Sequence, residues 1–414
     1  MKDARAVHAD AVIVGDGAPI RDAAIVVDAE GTVNAVGPAS EILPRHAGLP
    51  IERVHGAVFP GLVNAHTHLE LSVYRGRVTG GRGFVDWVDR FVALRAETPA
   101  EEESEAIERG IAELETSCTA AVGEVTNTLG AVRALARAGI AGCVFHEVFG
   151  VNREHALKRA AGLKAELESR VGAWPTWELS YAPAPHTLYT THGDAVRELI
   201  ANARSFDART SVHLAEHAAE RRAIEQGDGP QVEWLVARTR AKDLVWPKLP
   251  LFDYAASLGV LAPNVLLVHL TDARDDELAR VAESGARAVF CPRSNLYIEG
   301  KLPPLIAARR AGIEAALGTD SLASNASLDV LAEARALSDR FSSVPASEFL
   351  TMATWYGARA LGRVDLGRIA KGARPGIAAI DGDVGDDASA FVLRQVKAKR
   401  RWIVRRATAN QEES

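Results

Sequence analysis

Through the middle of the chain, short apolar segments alternate with helical ones, and this alternation limits the possible folds more than any other feature. The apolar segments lie at about 59–68, 120–125, 142–148, 177–182, 210–214, 265–269, 286–291 and 315–320. Helical patterns occupy 99–117, 129–138, 153–169, 193–204, 274–284 and 303–311. Uninterrupted apolar runs bounded by helices read as parallel strands buried on both faces. Eight such units over roughly 300 residues predict an α/β fold, a (β/α)8 TIM barrel, with its working residues at the C-terminal strand ends. The rival is a doubly wound open sheet, but no G-x-G-x-x-G follows the first strand.

The two ends of the chain differ from the middle. Segments 7–14, 23–27 and 33–36 are β-rich and punctuated by Asp16-Gly17 and Glu30-Gly31. Segments 376–380, 390–393 and 401–404 read the same way. Together they predict a small composite β-sandwich domain built from both termini, residues 1–56 with 363–414, beside a catalytic barrel at 57–362. An insertion at 227–262, carrying Trp234, Trp246 and Pro247, is expected to form a lid or an oligomer contact.

Composition narrows the class. The net charge is −6 without a basic stripe, which argues against nucleic acid and against a polybasic membrane anchor. The one basic run, 397–406, alternates as a solvated strand face does. The three cysteines are widely spaced, with no disulfide framework, which fits a reducing cytoplasm. No apolar run approaches the ~18 residues of a membrane span, and no signal region opens the chain.

The chemistry-bearing residues stand at the expected strand ends. His66 and His68 close the first strand at i and i+2, a spacing that puts both imidazoles on one face. His213 ends the fifth strand, with Glu216 three residues on; His269 ends the sixth and Asp320 the eighth. In a barrel these ends converge on one mouth, and imidazoles with a carboxylate there suit a borderline ion such as zinc.

Pro60-Gly61-Leu62-Val63-Asn64-Ala65-His66-Thr67-His68-Leu69-Glu70, His213-Leu214-Ala215-Glu216 and Leu317-Gly318-Thr319-Asp320-Ser321 together resemble the amidohydrolase superfamily over essentially the whole chain. The H-x-x-E after strand five is similar to its deaminase branch. That likeness implies one divalent ion, zinc or else iron, held by His66, His68, His213 and Asp320. Segment 176–188 holds no lysine that could be carboxylated to bridge two metals. The resemblance further implies Glu216 as the proton shuttle, His269 holding and polarising the water, and Asp320 as both ligand and acceptor of a water proton. Zinc lowers the pKa of its water to about 7, giving a nucleophile at neutral pH.

For substrate, Ala184-Pro185-His186-Thr187-Leu188-Tyr189 and Phe84-Val85-Asp86-Trp87 resemble segments of nucleoside deaminases. With Cys291-Pro292-Arg293-Ser294-Asn295 they look most like aminodeoxyfutalosine deaminases of menaquinone biosynthesis and methylthioadenosine/S-adenosylhomocysteine deaminases. The expected substrate-binding residues are His186, Asp86, Trp87 and Arg293. Arg75, Arg77, Arg82 and Arg153 are further candidates for a substrate carboxylate. The expected partner is a small molecule, in a chain that can form a homo-oligomer. The alternatives are a hydrolase of another aminated heterocycle or cyclic amide (guanine, cytosine, a triazine-like ring) and a non-catalytic barrel; the full ligand set argues against the latter.

Overall fold

In the computed structural model of the chain, residues 4–205, 208–239, 244–395 and 398–406 are described. Fifteen strands occur among them. The first four are β1 (Arg5–Val12), β2 (Ile20–Val27), β3 (Val33–Pro38) and β4 (Ile51–Pro60). The barrel strands are β5 (Leu62–His68), β6 (Thr119–Thr126), β7 (Ala141–Val148), β8 (Leu179–Pro185), β9 (Thr210–Leu214), β10 (Val265–His269), β11 (Arg287–Phe290), β12 (Ala316–Leu317) and β13 (Asp320–Ser321). β14 (Ile377–Asp381) and β15 (Arg401–Val404) complete the set.

Strands β5 to β8 pair in parallel, as do β9 to β12. A parallel bridge between Thr187 and His213 joins the two runs. The eighth position is a broken strand, β12 and β13, and β13 pairs with β5 to close the ring. Asn64 secures that closure: its Nδ2 donates to Thr319 Oγ1 at 2.7 Å and its Oδ1 accepts from Thr319 N at 3.0 Å. Gly318 permits it, because a Cβ there would lie 2.6 Å from His66 Cβ. The strands are apolar almost throughout, as burial on both faces requires; Leu62–His68, Thr119–Thr126 and Ala141–Val148 are buried at every position.

The two termini share one sheet in the order β15-β14-β4-β1-β2-β3. Val7, Ala9, Ile25, Val58 and Ile377 pack on one face, while Ala6, Ala24 and Val26 meet Ile42 of the short helix Ala39–Arg45 on the other. Among the described residues the two termini build this one sheet, with a helix on one side. Strand β4 carries the sheet to Pro60, beyond the expected boundary at 56. Gly61 then turns the chain into the barrel, where a Cβ would lie 2.6 Å from Ala120 Cβ and 2.7 Å from Pro375 O. Segment 390–393 is not a strand: Ala388–Arg394 is a helix, capped by Asp387, whose side chain accepts from Ala390 N at 2.9 Å. Lys397 of the basic run lies outside the described residues, and β15 occupies part of the rest.

Two excursions cover the mouth. Helix Phe84–Glu97 follows β5, and helices Ala218–Gln226, Pro230–Thr239 and Leu251–Ser257 follow β9. No helix among the described residues is long and apolar enough to cross a membrane.

Candidate metal centre and active site

The strand ends bring the histidines together. The Nε2 atoms of His66 and His68 lie 3.2 Å apart, and Asp320 Oδ1 stands 3.7 and 3.6 Å from them. His213 completes a set of three imidazoles whose ligand atoms lie within 4.8 Å of one another. His213 Nδ1 donates to the His186 carbonyl at 3.0 Å, which turns Nε2 toward the cluster. All four side chains are buried.

Their electrostatics fit a cation. Burial, reinforced by His66, holds His68 well below the usual histidine range, and burial beside His66 lowers His213 to about 4. Both are therefore neutral imidazoles with lone pairs free to bind. Burial acts to raise Asp320, but hydrogen bonding to His66 and the nearby His68 and His269 hold its carboxyl well below the ordinary value. Its Oδ2 accepts from Ser294 Oγ at 2.6 Å and Ser324 Oγ at 3.1 Å, fixing the rotamer that presents Oδ1 to the cluster.

Glu216 lies beside this centre. Its Oε1 is 3.6 Å from His269 Nε2, and its backbone N–H donates to Glu220 at 2.8 Å. Burial first, then Asp320 and Glu220, push the Glu216 carboxyl well above the usual range, so it carries a proton it can give up. Asn295 Nδ2 donates to His269 Nδ1 at 3.1 Å, which leaves the proton of the neutral ring on Nε2, facing Glu216. The backbone is forced here: Ala215, His269, Leu270 and Asp320 all adopt positive φ, between 51° and 77°.

These groups open into a cavity of about 660 Å³ lined also by Phe84, Trp87, Phe149, His186, Trp234 and Arg238. Trp87 and His186 therefore stand where a substrate would lie. His186 Nδ1 is held by Thr190 Oγ1 at 2.6 Å, with Phe149 packed over its ring. Helix Pro230–Thr239 roofs the cavity, fastened by Trp234 Nε1 and Arg238 Nη2 donating to Asp89 of helix Phe84–Glu97 at 3.0 and 2.7 Å.

Asp86 and Arg293 are not brought to the cavity. Asp86 accepts from Arg90 at 2.8 Å, one turn along its own helix. Arg293 donates to Ser327 Oγ at 2.9 Å and its backbone N–H to Glu333, because the turn entering helix Pro292–Glu299 directs Ser294 and Asn295 inward instead. Arg75, Arg77 and Arg153 face Glu113, Glu102 and Asp194, and none of these, nor Arg82, lines the cavity. Among the described residues, the arginines that do are Arg95, 3.4 Å from Glu70, and Arg238. Sequence reasoning missed these, and also Asn127 and Glu147, the latter raised by burial to about 8. The available signal was position alone: Asn127 and Glu147 fall at the ends of the second and third barrel strands.

The amidohydrolase family model matches residues 57–403. A 5-methylthioadenosine/S-adenosylhomocysteine deaminase of Halobacterium salinarum is 32% identical over 79% of this chain and 73% of its own. The aminodeoxyfutalosine deaminase of Deinococcus radiodurans is 31% identical over 68% of each. The crystal structure of Helicobacter pylori aminofutalosine deaminase with methylthio-coformycin superposes with a TM-score of 0.88 at 23% identity, covering 97% of this chain and all of that one, a likeness of fold.

Proposed function

This chain belongs to the amidohydrolase family, and we propose that it hydrolyses the exocyclic amino group of an adenine nucleoside, releasing ammonia. It is a hydrolase of C–N bonds other than peptide bonds. The reading of the substrate is an adenine nucleoside: aminodeoxyfutalosine, methylthioadenosine, S-adenosylhomocysteine or adenosine. Two relatives bear the names of deaminases of such compounds. A cavity of about 660 Å³ with aromatic walls suits a nucleoside with an extended 5′ group better than a bare base. Action on aminodeoxyfutalosine would serve menaquinone biosynthesis.

His66, His68, His213 and Asp320 would hold one divalent ion. Three imidazoles and one carboxylate are the donor set that zinc favours, and iron accepts the same donors. When bound, such an ion supplies Lewis acidity and brings the pKa of water near neutrality.

The observation that carries the proposal is Glu216: a buried carboxyl, pushed by burial well above the usual carboxylate range, beside the convergent donors and 3.6 Å from His269. Glu216 gives its proton to the ring nitrogen next to the carbon under attack, which makes that carbon electrophilic. It then recovers a proton from water and passes it to the departing amine. His269 holds the water in line through Nε2–H. Asp320 Oδ1 takes a water proton, while Ser294 and Ser324 keep Oδ2 in place, and return of that proton to Glu216 restores both carboxyls for the next turnover. One water enters, one ring carbonyl forms and one ammonia leaves.

The test is a panel assay of the metal-quantified enzyme, reading ammonia and the ultraviolet change of adenine to hypoxanthine. Adenine nucleosides should turn over faster than cytosine or guanine. Robust turnover of a free base with none on any nucleoside would overturn the proposal.

A further inference from the structure

One buried carboxyl in the cavity has no part in the chemistry above. Glu147, near the end of β7, is only 3% exposed and lines the same cavity. Its Oε2 accepts from Asn127 Nδ2 at 3.3 Å, and that amide also donates to the Glu147 carbonyl at 3.1 Å. Its Oε1 has no hydrogen-bond partner among the described residues. A buried acceptor left without a donor is costly, so such an atom inside a ligand cavity marks where a ligand donor belongs.

The strand order says which part of a ligand that is. Asn127, Glu147 and His186 sit at the ends of β6, β7 and β8. Glu216 and His269 sit on the other arc, just beyond β9 and at the end of β10, with Asp320 at the start of β13. A purine whose amino-bearing edge faces Glu216 turns its opposite edge, which carries the sugar, toward the first arc. The ring nitrogens on that edge are acceptors and have nothing to donate; the sugar hydroxyls do.

We propose that Glu147 is a specificity residue whose Oε1 accepts a hydrogen bond from a sugar hydroxyl, so that the site selects ribonucleosides over deoxynucleosides. This rests on the adenine-nucleoside reading. Two other roles are possible for this carboxyl. Oε1 lies 3.6 Å from His213 Nδ1 and could orient that ring. The His213 Nδ1 proton, however, already goes to the His186 carbonyl at 3.0 Å. Glu147, His186 and His213 also offer donor atoms within 4.8 Å of one another, enough to suggest a second cation. The same His213 Nδ1 bond argues against it.

The experiment compares the metal-loaded wild type with Glu147→Gln and Glu147→Ala on adenosine, 2′-deoxyadenosine and 3′-deoxyadenosine, with metal content measured on each preparation. Glu147→Gln keeps shape, and its one oxygen is taken by Asn127, so the face toward the cavity becomes a donor. Wild type should prefer adenosine over one of the deoxynucleosides by about tenfold in kcat/KM, the upper end of what a hydrogen bond between neutral groups contributes. In both variants that preference should shrink to about threefold or less, at one metal per chain throughout. An unchanged preference in the variants overturns the proposal. So does a fall in metal content, which would assign Glu147 to His213, or a stoichiometry of two in the wild type, which would make it a ligand. Failure of the wild type on all three nucleosides, with turnover of a free base, instead overturns the functional reading and takes this one with it.

Discussion

The two ends of strand β8 bury charge in opposite ways. Glu178 precedes the strand, on the floor of the barrel. Its carboxylate meets Arg363 at 2.7 Å and Arg406 beside it, and Arg363 also holds Asp365 at 2.8 Å. Arg406 is just beyond β15, so this network ties the C-terminal segment to the barrel. His186 follows the same strand, at the mouth. There the buried groups are of like kind: imidazoles crowd one another, carboxyls at Glu216 and Glu147 are pushed up by burial, and Glu147 Oε1 has no hydrogen-bond partner among the described residues. Paired charge on the floor serves cohesion. Crowded, unpaired donors at the mouth, on a backbone with four positive-φ residues, are favourable only when a cation and a substrate complete them.

Substitutions at the two ends should therefore fail differently. The largest effect is expected for His66→Ala. Without one of the converging Nε2 atoms the chain should copurify with little metal. The several kcal/mol of transition-state stabilisation that an ion supplies, at ~1.4 kcal/mol per tenfold, make the activity loss about 10³-fold or more, with a melting temperature close to that of metal-stripped wild type. Metal analysis beside ammonia release checks it, and a fully metallated, active variant would remove His66 from the ligand set.

Glu178→Gln should do the reverse. It leaves the buried Arg406 guanidinium with only its longer carboxylate contact, to Asp365 at 3.4 Å, and breaking a buried ion pair in this way typically costs about 3–5 kcal/mol of stability. Urea unfolding reads the loss, while kcat of the folded enzyme should stay within about twofold, inside the tenfold that 1.4 kcal/mol represents. A large drop in kcat with unchanged stability would erase the distinction between the two ends.

Smaller again is Ser294→Ala. Asp320 keeps Ser324 but loses its shorter hydrogen bond. Removal of such an outer partner of a metal ligand typically weakens metal affinity by about 10–100-fold, measurable by competition with a chelator. An affinity equal to wild type would mean that Ser294 does not position Asp320.

Much of this was legible in the sequence because a barrel converts position along a strand into position in space. His66, His68, His213, His269 and Asp320 each close an apolar run, and the topology alone brings such ends together. Residues whose role depends on which way a turn faces were not legible. Arg293, Ser294 and Asn295 are consecutive, yet only the last two look into the site, because helix Pro292–Glu299 begins between the strand and them. Asn127 and Glu147 belong to no motif; only the neighbouring strands reveal their shared cavity. The Ala390–Leu393 run is apolar in a way compatible with strand or helix, and the Asp387 cap that decides the matter lies three residues before it. Strand β4 carries Glu52, Arg53 and His55, which mask its pairing with β1 and β14.

We propose that Glu216 moves protons at a metal centre it does not itself build. Glu216→Gln keeps shape and hydrogen-bonding capacity but cannot carry a proton to the ring. Metal content and steady-state deamination should be measured on one purified preparation of this variant. Metal should remain near wild type, since His66, His68, His213 and Asp320 are unchanged. Activity should fall by about 10⁴-fold, the upper end of what a general acid–base group contributes, because one carboxyl serves both transfers. Activity within about tenfold of wild type, below the lower end of that range, with metal in place would contradict the account.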